Sequence, residues 1–542
     1  MCDVVRNIAV QFFMKKINKN ITAETHPSHY MMHKYWGRKP HNVVSDYILN
    51  FTKPGDTVLD PFMGSGVVVI ESLKHDRKAI GIDLNPMACF ITENTINKVD
   101  LEDFEKTFVQ IYEKNYKKFI ELYDTKCPKC GHNVPFENSI WDHDEFSKVR
   151  AFCPTHGKFI KSADAYDQKV LKKALETFHK LDKENKIFYP KDEILKFVKR
   201  NGKSRLNEFF SERALAVLGS IIKDIDAVKN PETKSLILLC FTSMLPNVSK
   251  MIPGNTDSVN GKSGWVISKL WAPKVHTEKN VFNSFKHRFQ KVKKGKQELV
   301  GVFESKNARI LNIDATNLSA VKSGSVDYIF TDPPYGDSIA YFGLSMFWNG
   351  WLRNKVNYEG EIIYDPYRNK KYEDYSSRMK KVYSELFRVL KDERYLSFTF
   401  HNRNLNIWKA VMDAVTGGGF HLVNVVYQEQ AVASGTQGLN RNNTLRGDFV
   451  YNFQKNTKIK SIDKVYDHKD SKKEIVKKVQ SWIQKNDGFM TSDSLYEKLI
   501  PFIVEKNLYS DEDGQVMNIE GLLKQSFNYK QLRTQEYGWQ EK

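Results

Sequence analysis

Residues 57 to 60, TVLD, form a short β-branched, apolar run, Gly64 and Gly66 follow at once, and Val67 to Leu73 repeat apolar residues at helical spacing. A strand that turns straight into a helix points to a parallel sheet, because the next parallel strand is reached only through a crossover. A second unit stands directly behind it: Ala79 to Ile82 ends at Asp83, and Pro86 suits the first turn of another helix.

The alternation then breaks. Leu101, Phe104, Phe108, Ile111, Phe119 and Leu122 predict an amphipathic helix over 101–123, followed by a cysteine cluster at 127–156, a Lys-rich polar stretch at 181–205 and helical patterns near 207–225 and 233–246. Apolar runs resume at Ile310 to Ile313, Val326 to Phe330, Tyr395 to Phe400, Leu422 to Tyr427 and Phe449 to Phe453, with a long helical stretch at 375–390. The expected fold class is α/β: a doubly wound, mostly parallel, seven-stranded sheet whose ligands lie beyond the strand carboxyl ends. The boundaries read as an N-terminal segment 1–56, a first half of the sheet domain 57–100, a helical insertion 101–300, a second half 301–456 and a small helical C-terminal domain 457–542 that opens on the charged run KIKSIDKVYDHKDSKKE. Met14, followed by Lys15 and Lys16, is a second candidate start, which would leave residues 1–13 as an extension.

Charge narrows the partners. Lysine and arginine number 83 against 65 acidic residues, a formal charge of +18, and such a surface attracts polyanions. The most apolar window, Ser235 to Leu245, is broken by Cys240, Thr242 and Ser243 and falls short of the roughly 20 residues of a membrane span. No membrane partner is expected, and the cytoplasm is the expected compartment, since the N-terminus lacks a small-residue cleavage site.

Two strand-end motifs carry the chemistry. DPFMGSG, Asp60 to Gly66, opens a helix where backbone amides can approach a ligand, and Asp83 ends the next strand, from which a carboxylate can bind ribose hydroxyls. TDPPYGD, Thr331 to Asp337, follows a buried-strand pattern; chance supplies its central DPPY in roughly one of several hundred chains of this length. An exocyclic base amine is a poor nucleophile, because its lone pair is delocalised into the ring. A carboxylate (Asp332) and a backbone carbonyl held rigid by Pro333 and Pro334 can accept both amine hydrogens and aim the nitrogen, while Tyr335 offers a stacking face for a base taken out of the duplex.

Together these motifs resemble those of the DNA amino-methyltransferases that use S-adenosylmethionine. HKYWGRKP, His33 to Pro40, together with the cysteine cluster, resembles more closely the bacterial adenine-specific DNA methylases that contain a zinc ribbon, over most of residues 26–456. The resemblance implies a Rossmann-like methyltransferase sheet. It also implies a cofactor site of Asp60, Phe62, Gly64, Ser65, Gly66, Asp83 and Asp314, with Lys34 and Tyr35 near the methionine end, and Asp332, Pro333, Pro334 and Tyr335 as the catalytic tetrapeptide. The implied partner is duplex DNA with base flipping, in keeping with partner subunits of a restriction or phage-defence system. Many relatives carry the DPPY half first; here the cofactor half precedes it, which leaves the target-reading element open.

Cys127, Cys130, Cys153 and His156 form C-x2-C-x22-C-x2-H, the ligand chemistry of a closed tetrahedral zinc site, expected to be structural because all four positions are filled. His132 is an alternative ligand, and Cys2, Cys89 and Cys240 have no partner in spacing. The run KHRFQKVKKGK, Lys286 to Lys296, reads either as a phosphate track or as a solvated helix face, and Asn402, Arg403 and the glycines at 417–419 and 435–438 are candidates for shaping a base pocket. The function these features predict is site-specific methylation of adenine N6 in DNA. The alternatives are cytosine N4 of DNA, an amino group of tRNA, or a non-catalytic nucleic-acid-binding subunit.

Overall fold

The computed structural model describes residues 17–542 except 18, 197, 201–202, 255–264, 266–268, 337–338, 401, 403–404, 430–446, 457–469, 507, 509, 511–516 and 532–536. Readings that fall on Cys2, Met14, Arg403 and the 435–438 glycines lie outside the described residues.

The first half of the sheet domain comprises α1 (His41–Phe51), β1 (Thr57–Asp60), α2 (Val67–Lys74), β2 (Lys78–Ile82) and α3 (Pro86–Ile96). Pro86 takes the first turn of α3, and the Asn85 side chain caps it by accepting from the Met87 amide. The insertion runs through α4 (Leu101–Phe119), β3 (Asp124–Lys126), β4 (Asn133–Asp142), β5 (Glu145–Cys153), β6 (Gly157–Ser162), α5 (Ala165–Lys183), β7 (Lys199–Arg200), α6 (Glu212–Asp226), α7 (Pro231–Met244), β8 (Leu270–Trp271), β9 (Val275–Lys279) and α8 (Val281–Gln297). The second half adds β10 (Ala308–Leu311), β11 (Val326–Thr331), α9 (Tyr341–Leu352), α10 (Tyr372–Val389), β12 (Leu390–Phe400), α11 (Leu405–Gly417), β13 (Phe420–Glu429) and β14 (Gly447–Lys455).

The central sheet has the order β10-β2-β1-β11-β12-β14-β13. β10, β2, β1, β11 and β12 pair in parallel, and β14 runs antiparallel between β12 and β13. From β1 the chain steps outward to β2 and β10; β11 steps the other way to β12. The order therefore reverses between β1 and β11, the place where an open α/β sheet leaves a crevice beyond its carboxyl ends. Every residue of β11 is buried, as expected of a strand covered on both faces. Tyr328 and Phe330 pack with Tyr47, Ile48 and Phe51 of α1, whereas Ile329 faces the layer built by Met379, Leu386 and Val411. Each such apolar side chain contributes on the order of 2 kcal/mol by leaving water.

The insertion has its own core, in which Phe104 and Phe108 of α4 meet Phe285 and Phe289 of α8. Trp348 and Trp351 of α9 sit in the same cluster, so the helix that follows the DPPY turn is rooted in the insertion. The basic run of α8 is largely engaged in packing. The Phe289 ring stacks on Phe108 at 3.9 Å, Lys293 pairs with Glu105 at 2.7 Å, and the buried Lys296 ammonium donates to the carbonyls of Asn94 and Thr95 at the end of α3. A phosphate track along this whole run is therefore not what the helix offers.

Residues 471–541 hold α12 (Ser471–Gln484), α13 (Ser492–Lys506) and α14 (Ile519–Ser526). They also hold an antiparallel sheet of β15 (Phe489–Thr491), β16 (Phe527–Gln531) and β17 (Tyr537–Glu541), so the C-terminal region is mixed rather than helical. Strands of three to five residues are too short for alternation to separate from a helical pattern. Among the described residues no helix is long and apolar enough to cross a membrane.

Candidate active site

A cavity opens where β1, β2 and β11 end. Asp60, Phe62, Gly64, Ser65, Asp83 and Asp314 line it, together with Tyr35 and the tetrapeptide residues Asp332 and Pro334. The loop after β1 is braced from within. Asp60 Oδ1 accepts from the Phe62 amide at 3.0 Å and from the Thr331 hydroxyl at 2.7 Å, which ties the loop to the end of β11. Burial pushes the Asp60 carboxyl up to about 7 against both bonds.

Asp83 closes the loop from the other side. Its Oδ2 accepts from the Gly64 amide at 3.0 Å and its Oδ1 from the Asn85 amide at 2.8 Å, while burial raises it to about 6. A carboxylate has about four lone-pair sites, so acceptor capacity remains for ribose hydroxyls. Asp314 follows β10, and its Oδ2 accepts from Arg378 at 2.6 Å. Tyr35 accepts from Asn85 Nδ2 at 3.2 Å.

Two expected cofactor residues stand elsewhere. Gly66 does not line the cavity; its φ is +78°, and a Cβ there would lie 2.5 Å from the Thr92 side chain, so glycine is needed for α2 to start against α3. Lys34 points into the insertion, where its ammonium bonds the Trp265 carbonyl and lies 5.6 Å from that indole ring. The backbone turns between the two lysines of the segment: Gly37 has φ +70°, and Lys39, not Lys34, reaches the tetrapeptide.

Around Asp332 the side chains converge. The Tyr335 and Thr399 hydroxyls each donate to Oδ1 at 2.6 Å, and Lys39 Nζ lies 3.2 Å from the same oxygen and 2.7 Å from Asp448 Oδ2. Burial raises the Asp332 carboxyl above its usual value, opposed mainly by Lys39. The Tyr335 ring sits edge-on to Phe400 at 5.1 Å, and Asn402 Nδ2 donates to the Tyr335 carbonyl at 2.6 Å, so Asn402 braces the tetrapeptide backbone. The Pro334 carbonyl accepts from the Tyr375 hydroxyl at 2.7 Å. No hydrogen bond to the Pro333 carbonyl occurs among the described residues; Pro333 is buried and, like Tyr335, is not among the residues that line the cavity. The glycines at 417–419 do not line the cavity; Gly419 packs against Phe387.

The DNA methylase model, whose family name joins N6 and N4, matches residues 11–94 and 326–516, more than half of the chain. The chain belongs to the DNA methylase family. The match stops at the edge of the insertion and resumes at β11, and it takes in the residues that line this cavity except Asp314 and Ala315. Curated relatives match over shorter stretches. The type II methyltransferase M.MjaII of Methanocaldococcus jannaschii is 24% identical over 157 residues, 25% of this chain and 30% of that protein. M.Cfr9I of Citrobacter freundii is 44% identical over 61 residues (11% and 20%), and M.BsoBI of Geobacillus stearothermophilus 31% over 85 (15% and 16%). The chain thus spans less than a third of the length of each of these methylase relatives. Lys39, Thr399, Asp448 and Tyr341, all near the tetrapeptide, are absent from the sequence expectation for this methylase site.

In the insertion, the hairpin turns β3–β4 and β5–β6 bring Cys127, Cys130, Cys153 and His156 together, with all ligand atoms within 4.8 Å of one another. Cys130 Sγ and Cys153 Sγ are 3.7 Å apart, and His156 Nδ1 is 3.8 Å from Cys127 Sγ and 3.7 Å from Cys153 Sγ. A tetrahedral ion with 2.3 Å bonds to sulfur would set its sulfurs about 3.8 Å apart, so the residues fit such an ion. His132 Nδ1 lies 3.3 Å from Cys130 Sγ, beside this set rather than in it. Cys89 and Cys240 are buried singly.

Proposed function

We propose that this chain transfers a methyl group from S-adenosylmethionine to the exocyclic N6 amine of an adenine flipped out of duplex DNA. What carries the reading is the Thr331–Asp60 hydrogen bond at 2.7 Å, which holds the glycine-rich loop and the DPPY turn side by side at one cavity. Both halves of a methyl transfer then meet within one crevice.

When bound, S-adenosylmethionine supplies an electrophilic methyl group on a sulfonium. Asp83 would accept from the ribose hydroxyls, Asp314 would accept from the cofactor's adenine amine, and the loop from Phe62 to Ser65 would hold the cofactor. Asp332 and the Pro333 carbonyl accept the two hydrogens of the target amine, which localises its lone pair and aims it. The amine nitrogen would take the methyl group as the sulfonium sulfur keeps the electron pair of the broken bond, and the surplus proton would leave to solvent. Tyr335, its hydroxyl tethered to Asp332, turns its ring to the flipped base.

Adenine is favoured by the aspartate at the first position of the tetrapeptide. Cytosine N4 is the second reading, because the family name joins both. We assign Cys127, Cys130, Cys153 and His156 to a structural zinc ion. The charge of +18 serves phosphate binding, and the type II relatives support a place in restriction-modification. The test is label transfer to duplex DNA, single-stranded DNA and tRNA in parallel. Label in duplex DNA supports the reading, and label in tRNA alone overturns it.

A further inference from the structure

All three donors to Asp332 address one oxygen. Lys39 at 3.2 Å, Thr399 at 2.6 Å and Tyr335 at 2.6 Å come from the segment before α1, the end of β12 and the tetrapeptide itself, and each meets Oδ1. Oδ2 makes no hydrogen bond among the described residues. It lies 3.8 Å from the point where a side chain on Gly37 would begin, and Gly37 and Asp332 both line the cofactor cavity. Lys39 is also fixed from the far side, by Asp448 of β14 at 2.7 Å, and it donates to the Tyr335 hydroxyl at 2.8 Å. A cation held by two carboxylates and a phenol, with its side chain only 13% exposed, has little freedom to move.

We propose that Lys39 is a positioning residue for the methyl acceptor: anchored by Asp448, it clamps Asp332 through Oδ1 so that Oδ2 is turned to the target amine. The proposal rests on the assigned function and deepens it by naming what orients the acceptor carboxylate. The electrostatics agree. Burial and the charge of Asp448 both favour a protonated Asp332, and Lys39 is the first opposing influence. Burial alone would lower Lys39, yet the charges of Asp332 and Asp448 hold it above the usual lysine value. Around this pair stand Tyr335, Tyr341 at the start of α9, and Asp60 at the end of β1. A protonated Asp332 would keep an acceptor for one amine hydrogen but present a competing donor.

The experiment compares wild type with Lys39→Met, Lys39→Arg and Asp448→Asn. Single-turnover methyl transfer is followed across pH, with S-adenosylmethionine affinity as the folding control. Lys39→Met is expected to lower the rate at neutral pH at least ten-fold, to move the acid limb of the profile upward, and to keep cofactor affinity within about three-fold. Lys39→Arg is expected to restore the wild-type profile and much of the rate. A rate lost equally at every pH in Lys39→Met and Lys39→Arg, or a Lys39→Met rate equal to wild type, overturns the proposal.

Titration of 13C-carboxyl-labelled aspartate, with Asp332→Asn to assign the signal, reads the same clamp without turnover. Lys39→Met should shift the Asp332 carboxyl upward by about one unit or more, the scale of losing an adjacent opposite charge. An unmoved signal counts against the clamp. A wild-type protein that methylates no DNA would instead sink the assigned function and leave the clamp decided by this titration.

Discussion

The hydroxyl of Thr331 donates to the carboxylate of Asp60 across 2.7 Å, joining the ends of two adjacent strands that lie 271 residues apart in the chain. The long insertion separates the two motifs in sequence and not in space, because β1 and β11 pair in parallel with Val58 opposite Tyr328. Thr331→Val keeps the shape and removes this bond. A hydrogen bond to a charged group is worth about 1.5 to 3 kcal/mol, so S-adenosylmethionine affinity should fall roughly ten-fold or more, measured by calorimetry. Affinity equal to wild type would mean that the loop holds its form without β11.

Asp83 gives a pH prediction with a defined sign. Burial raises its carboxyl to about 6, so the acceptor form is present above that pH and lost as pH falls through it. Cofactor affinity should therefore weaken between pH 7.5 and 5. Asp83→Asn should be weaker by about ten- to a hundred-fold and should lose that pH step. Equal affinity at both pH values would place the ribose contact on another residue.

The insertion depends on a buried ion pair. Arg213 of α6 meets Glu278 of β9 at 2.9 Å, with Ser211 and Trp141 donating to the same carboxylate. Burial would raise Glu278, but the charge and hydrogen bonds of Arg213, with those of Ser211 and Trp141, hold it down at about 2. Its contribution, about 3 kcal/mol, is fully present above the ordinary glutamate value and is lost as pH falls toward 2. Glu278→Gln leaves Arg213 buried without its counter-charge, which costs about 3 to 5 kcal/mol. Thermal unfolding followed by circular dichroism should show a large drop at pH 7 that narrows toward pH 2.5. A drop that is the same at both pH values would remove the ion pair as its cause.

Metal analysis tests the four-ligand cluster. Protein purified without chelator should carry close to one zinc per chain, and Cys130→Ser should lose zinc and thermal stability before cofactor affinity. Metal-free protein with unchanged stability contradicts the assignment.

Much of this architecture is readable from local pattern, and the exceptions have physical causes. VDYIF reads as a buried strand because all its residues are buried, and TDPPYGD marks its end. Lys39, Thr399 and Asp448 give no signal, since each belongs to a different segment and they meet only when β12, β14 and the segment before α1 assemble around the end of β11. Lys34 and Lys39 look alike in HKYWGRKP; the φ of Gly37 is part of the turn that sends them to different places. Gly66 fits a ligand loop in sequence, yet its constraint is Thr92 of α3. The strands β15, β16 and β17 are too short to show a period.

The most direct test of the central claim is transfer of labelled methyl from S-adenosylmethionine to duplex DNA by wild type and by Asp332→Ala, with the product digested to nucleosides. The account predicts N6-methyladenine from wild type. Asp332→Ala should lose nearly all transfer while keeping cofactor affinity, because Asp332 acts on the amine rather than on the loop. N4-methylcytosine would move the assignment to the other amino target. An Asp332→Ala protein that methylates as fast as wild type would contradict the account.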